Sequence, residues 1–218
     1  SLASNRKVFG ASSSKIFVGA TLLDKQAGGL SASQRQLMAD MLVVSSNTAW
    51  TNLQTQIGNG NANVGRSTVQ AFTQKMGYPA TRGWQGYLGN IHGNELTAFE
   101  TAEFLYDTYM NEYSGAETLW KLMHTCRTGI SRGRKYIPSS IYVGGKTGTY
   151  DGPTENPETG LTTNPNGSAY TVAIRNHVLI FNVKGRQFGL VILNNNGSDE
   201  STAIMAGGLF REYTGYTP

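Results

Sequence analysis

Three short clusters of nucleophiles, bases and amides stand out along the chain: Ser12-Ser13-Ser14-Lys15, Ser45-Ser46-Asn47 and Lys146-Thr147-Gly148-Thr149. A serine hydroxyl is a poor nucleophile until a base takes its proton, and a lysine drawn into apolar surroundings has its pKa lowered towards that task. Ser12 and Lys15 stand at i and i+3, so on a helical turn their side chains share one face. At a helix start the serine also lies beside free backbone N–H groups. The helix that would carry the pair continues through Ile16, Phe17, Ala20 and Leu23 and is apolar nearly all round. A charged Lys15 inside it calls for a chemical reason. Taken singly, each cluster is also what a helix cap or a turn produces in a Ser-rich chain.

The third cluster follows the strand-like Ile141-Tyr142-Val143 through Gly144-Gly145. Alternation along an edge strand sends Lys146 and Gly148 to one face and Thr147 and Thr149 to the other, with Gly148 leaving room for a substrate backbone to approach. Gly145-Lys146-Thr147 also matches the end of a phosphate-binding loop. That reading fails, because Ser140 stands where the motif needs its first glycine, and Gly148, Gly152 and Pro153 cannot begin a helix.

The elements that must position these clusters are written in hydrophobic spacing and turn residues. A first helix runs from Ser12 to Gly28-Gly29; Ser31 with Gln34 reads as a capping pair opening a second, with Leu37, Met38, Met41 and Leu42 as its apolar stripe. Ser45-Ser46-Asn47 forms a turn into a third helix with Trp50, Leu53 and Ile57, and a fourth carries Val69, Phe72 and Met76. Residues 77–94 lack a period and read as a functional loop. Helical spacing returns from Thr97 to Tyr109 and from Leu119 to Met123. After Pro138 the runs 141–143, 169–174, 178–183 and 188–193 predict short antiparallel strands, and Ser198 caps a last helix with Asp199 and Glu200 in its first turn. The expected fold is α/β, read as a single domain over 1–218: a helical lobe over about 12–127, and a sheet lobe of about 138–218 with 1–11, covered by the last helix.

Composition excludes several classes. With 218 residues and 39% hydrophobic content the chain can bury a core. It has no apolar stretch of membrane-spanning length. It begins at Ser1 without an apolar signal-type run, as expected of a processed N-terminus. Its single Cys126 precludes an internal disulfide and reads as a small buried hydrophobe. A net charge of +4 is mild, and the cluster Arg127, Arg132, Arg134 and Lys135 reads as a solvated basic loop without a nucleic-acid signature. His92, His124 and His177 share no metal-ligand spacing. Trp50, Trp84 and Trp120 read as packing residues, with Trp84 placed nearest the site.

With its three motifs in this order, the chain resembles the serine β-lactamase and penicillin-binding D,D-peptidase superfamily, most closely its class A branch. Asn47-Thr48-Ala49, the run Ala173-Ile174-Arg175-Asn176 leading into the next strand, and a terminal helix after Asn194-Asn195-Asn196-Gly197 add to the resemblance. It implies Ser12 as nucleophile, Lys15 as base, Ser45 as donor to the leaving nitrogen and Asn47 as partner of the substrate amide. It implies that Lys146, with the hydroxyls of Thr147 and Thr149, meets a substrate carboxylate, and that the N–H groups of Ser12 and Thr149 form the oxyanion hole. No metal or organic cofactor is implied. The implied ligands are β-lactams, D-alanyl peptides or peptidoglycan, in a periplasmic or secreted setting. The chain departs from the family in having only eleven residues before Ser12, so either a smaller sheet or a trimmed chain is expected. It departs again at the loop position where class A enzymes carry a water-activating glutamate: the best match here is Gln85, which cannot accept a proton. Glu100 and Glu103 read as an exposed helix face and Glu95 as part of that helix's cap. The favoured reading is therefore a D,D-peptidase-like hydrolase. The alternatives are a class A-like β-lactamase with an altered deacylation group, and a sensor that binds a cell-wall fragment without turnover.

Overall fold

The helix expected from Ser12 forms in two pieces: Ala11–Ser14 winds as a 3-10 turn, and α1 continues from it over Lys15–Lys25. In this computed structural model, which describes residues 4–84, 94–126, 128–156 and 159–216, every residue of α1 from Lys15 to Leu23 is buried. Around it stand α2 (Ala32–Leu42), α3 (Asn47–Ile57), α4 (Ala62–Lys75), α5 (Ala98–Met110) and α6 (Ala116–Thr125). The Ser31–Gln34 capping box opens α2 as expected, and Ser46, Asn61 and Thr97 cap α3, α4 and α5 by accepting N–H groups that the helix leaves unpaired.

Two acidic residues differ from their sequence reading. The cap of α5 is Thr97, because its hydroxyl stands three residues before the Glu100 N–H it accepts. Glu95 lies instead in the short strand β2 (Glu95–Leu96), with its carboxylate near Arg82 at 3.5 Å and Lys7 at 3.9 Å. Glu100 is buried, since its carboxylate accepts the Ala80 N–H at 2.9 Å and ties α5 to the segment before it. Near the N-terminus, β1 (Val8–Phe9) pairs with β2 in a ladder of its own, so it lies against the main sheet without joining it.

The main sheet is antiparallel, in the order β3 (Val143–Pro153), β4 (Thr171–Val183), β5 (Arg186–Ile192). Two predicted runs fuse in β4, because the intervening residues find partners while staying extended: Arg175 donates its N–H to Asn194 O, and the Asn176 side chain donates to the carbonyls of Phe9 and Gly10. Likewise β3 starts at Val143 rather than Ile141 and runs past Thr149, so the Lys146 motif lies within the strand. Alternation splits β4 between two cores. Val178 and Ile180 join the helical cluster, while Leu179, Phe181 and Val183 pack with Ala206 and Phe210 of α7 (Asp199–Thr214), the expected covering helix. The site therefore lies where β3, the open edge of the sheet, meets the start of α1.

Candidate active site

Ser12 is carried on a turn that the chain strains to make. Ala11 adopts φ 47°, the left-handed region that a residue with a side chain rarely occupies. Two asparagines hold it there. Asn94 accepts the Gly10 N–H at 2.8 Å through its carbonyl, accepts from the Ser14 hydroxyl and donates to Ala11 O at 3.3 Å; Asn176 donates to Phe9 O at 2.9 Å and Gly10 O at 3.1 Å. Sequence reasoning does not find Asn94, which belongs to no motif.

Lys15 faces the same side as Ser12, as its i+3 spacing requires, and its residue is 0% exposed. Its Nζ lies 3.0 Å from Ser12 Oγ, 2.6 Å from Ser45 O, 3.1 Å from Ser45 Oγ and 2.8 Å from Asn47 Oδ1, with the Trp50 ring 5.0 Å away. None of these partners is a carboxylate. Burial, with repulsion from Lys146 second, lowers the Lys15 pKa from 10.5 to about 7. A neutral amine has two N–H donors and one lone pair. Ser45 O and Asn47 Oδ1 take the two donors, so the lone pair is left for the hydroxyl proton of Ser12. Trp50 borders the site, and both Trp50 and Trp84 pack with the helical core.

Ser45 joins the two lysines. It adopts φ 65°, and its hydroxyl lies 3.1 Å from Lys15 Nζ and 2.9 Å from Lys146 Nζ. Lys146 is 0% exposed and also donates to Thr147 O at 3.0 Å. Burial is the main cause lowering its pKa to about 8; Cys126 acts the other way and Arg132 adds to the drop.

The predicted alternation along β3 holds. Lys146 and Gly148 face Ser45 and the Ser12 turn, while the side chains of Thr147 and Thr149 meet Thr128 Oγ1 at 2.9 Å and Arg132 Nη2 at 3.0 Å on the other face. The space at Gly148 is not left for a substrate. A Cβ there would lie 2.5 Å from Gly10 O and 2.7 Å from Ser13 Oγ, so this glycine lets the Ser12 turn press against β3. Thr154 donates to Tyr170 O across the ladder, and the alternation of antiparallel pairs then turns the N–H and C=O of Thr149 outward to the open edge. Arg132, read from sequence as part of a solvated loop, is 5% exposed: it donates to Gly148 O at 3.1 Å and Asn176 O at 3.0 Å and pairs with Asp199 at 2.7 Å.

Ser12, Lys15, Ser45, Asn47, Lys146, Thr147, Gly148 and Thr149 are thus brought together. Gln85 lies outside the described residues, as do His92 and Arg127. Among the described residues no group of three His, Cys, Asp or Glu could hold a metal ion, and no helix is long and apolar enough to cross a membrane. Chemically, the arrangement offers a hydroxyl beside a neutral amine, a second hydroxyl bridging two lysines and outward N–H groups, which together suit acyl transfer.

Comparison with known proteins bears on this geometry. A sequence model described as "Beta-lactamase enzyme family" matches residues 4–203. No curated protein sequence matches the chain. Among solved structures, an ancestral (GNCA) class A β-lactamase is 18% identical, with TM-score 0.72 over 97% of this chain and 87% of that one. A β-lactamase from Chitinophaga pinensis is 15% identical with TM-score 0.73, covering 97% and 87%, and the TLA-3 extended-spectrum β-lactamase is 15% identical with TM-score 0.72, covering 97% and 86%. At such identities the likeness is one of fold.

Proposed function

Since the chain belongs to the beta-lactamase enzyme family, we propose that it is a serine hydrolase that forms an acyl-enzyme on Ser12, with D-alanyl peptides of the cell wall as substrates and β-lactams as captured analogues. The observation that carries this reading is the Lys15 amine, buried, near-neutral at about 7 and 3.0 Å from Ser12 Oγ. In the acylation step Ser12 Oγ bonds to the amide carbonyl carbon while its proton passes to the Lys15 lone pair. The developing oxyanion is met by the N–H groups of Ser12 and Thr149, where a preorganised donor is worth about 3 kcal/mol. When the C–N bond breaks, the leaving nitrogen takes a proton from Ser45 Oγ, which recovers one from the lysine that now carries it. Lys146, kept protonated below about pH 8, sets the positive potential that a substrate carboxylate meets, with the hydroxyls of Thr147 and Thr149 at the same edge.

Deacylation separates two uses of this chemistry. The described partners of Lys15 include no carboxylate, and the best match in sequence to the family's water-activating glutamate is Gln85, which supports a long-lived acyl-enzyme. A β-lactamase that activates water by another group is the second reading, favoured by the family match and by the β-lactamases among the similar structures. On either reading the protein acts on small molecules or peptides outside the cytoplasm, in a periplasm or secreted. Following the label from a fluorescent penicillin over time tests the proposal. Stable label with D-alanine release from a peptide supports the peptidase, transient label supports the β-lactamase, stable label without D-alanine release points to a sensor, and absence of label refutes acylation at Ser12.

A further inference from the structure

Thr147 and Thr149 are backed by a folded segment on the outer face of β3. Residues 128–134 cross that face, and Arg134 donates to the Cys126 carbonyl at their base. They bring Thr128 Oγ1 to 2.9 Å from Thr147 Oγ1 and Arg132 Nη2 to 3.0 Å from Thr149 Oγ1. An imidazole sits inside this segment. His177 lies across the ladder from Thr147, is 1% exposed, and accepts the Gly133 N–H through Nδ1 at 3.1 Å. In the neutral ring that bond places the proton on Nε2. The fit is close: a Cβ on Gly129 would lie 2.6 Å from His177 Cε1, and one on Gly133 would lie 2.6 Å from Nδ1. Burial first, then the charges of Arg134, Arg132 and Lys146, holds the ring neutral, well below its ordinary pKa, so Nδ1 remains an acceptor.

We infer that His177 is a positioning residue for the site, its Nδ1 anchoring the 128–134 segment through Gly133 and so keeping Thr128 and Arg132 on the hydroxyls of Thr147 and Thr149. A ring serving only to fill space would be replaced without loss by leucine. The link to substrate rests on the reading above, in which those hydroxyls meet a carboxylate; the anchor itself does not.

The experiment compares His177→Leu, which keeps bulk and removes the acceptor, with His177→Asn, whose amide oxygen stands close to the place of Nδ1. In the leucine variant the Gly133 amide exchanges with solvent faster. Acylation by a carboxylate-bearing penicillin falls about tenfold, the worth of one buried hydrogen bond, while acylation by a carboxylate-free ester stays within about twofold. The asparagine variant restores both readouts towards wild type. Wild-type behaviour of His177→Leu, equal loss for the two ligands, or equal defects in both variants would overturn the inference. Should the leucine variant not fold, protection of the Gly133 amide in His177→Asn decides: retained protection supports the anchor, and lost protection refutes it. If neither ligand labels the wild type, the proposed function fails while amide exchange still tests the anchor.

Discussion

Replacing Lys146 with methionine isolates how much of the unusual acidity of Lys15 comes from a neighbouring charge. Both lysine nitrogens lie on Ser45 Oγ, at 3.1 and 2.9 Å, so they are at most about 6 Å apart. Two like charges at about 6 Å in an effective dielectric of about 20 repel by up to roughly 3 kcal/mol before solvent screening, enough to move a titration by about one pH unit. Burial is the larger cause of the fall from 10.5 to about 7, so the repulsion from Lys146 accounts for less than half of it. Acylation needs the neutral amine, so its rate rises with pH through the Lys15 pKa. Losing the Lys146 charge raises that pKa and moves the acid limb to higher pH. The expected limb lies near pH 7 in the wild type and about one pH unit higher in Lys146→Met. The assay is the acylation rate of a carboxylate-free ester from about pH 6 to about pH 9.5, so that carboxylate anchoring does not enter. A limb that stays near pH 7, or moves down, would refute the electrostatic coupling through Ser45.

The remaining expectations concern the serine relay, the Ser12 turn and the deacylating water. Ser45→Gly keeps the φ of 65° at ease, so denaturant unfolding changes by no more than about 1 kcal/mol, while acylation falls by about 100-fold or more through loss of the relay. Gly148→Ala sets a methyl 2.5 Å from Gly10 O and displaces the Ser12 turn from β3; stopped-flow acylation falls at least tenfold, and a rate near wild type would show that the turn can give way freely. Gln85→Glu, at a position outside the described residues, shortens the acyl-enzyme lifetime by up to about 100-fold, read as loss of adduct mass with time; a fast-deacylating wild type would show that another base serves.

Much of this site is legible in the sequence because its chemistry sits on regular periods. The i and i+3 spacing of Ser12 and Lys15 and the alternation of Lys146 to Thr149 each fix a face before any long-range contact is known. What the sequence hides is long-range. Asn94 and Asn176 hold the Ser12 turn from distances of about 80 and 166 residues along the chain, and neither carries a local signal for that task. Arg132 reads as solvated because its neighbours Gly129, Ser131 and Gly133 are loop residues, yet its partners are carbonyls on β3 and β4 and a carboxylate at the start of α7. Gly148 misleads in another way: a missing Cβ announces a close approach without saying by what, and here it is the chain's own turn. The Arg175 to His177 stretch reads as a break between strands because polar residues interrupt the apolar run, although each keeps its place in β4 by finding a partner outside it: Asp151 for Arg175, the Phe9 carbonyl for Asn176 and the Gly133 N–H for His177. Arg175 and Asn176 also belong to the Ala173-Ile174-Arg175-Asn176 run that adds to the family resemblance.

The central claim is that Ser12, activated by Lys15, is the residue that becomes acylated. Intact-protein mass spectrometry after exposure to a penicillin, with the adduct mapped by peptide digestion, tests it on the wild type and on Ser12→Ala. A single adduct on Ser12 in the wild type and none in Ser12→Ala is the predicted result. An adduct that survives in Ser12→Ala, or that maps to Ser13 or Ser14, would contradict the account.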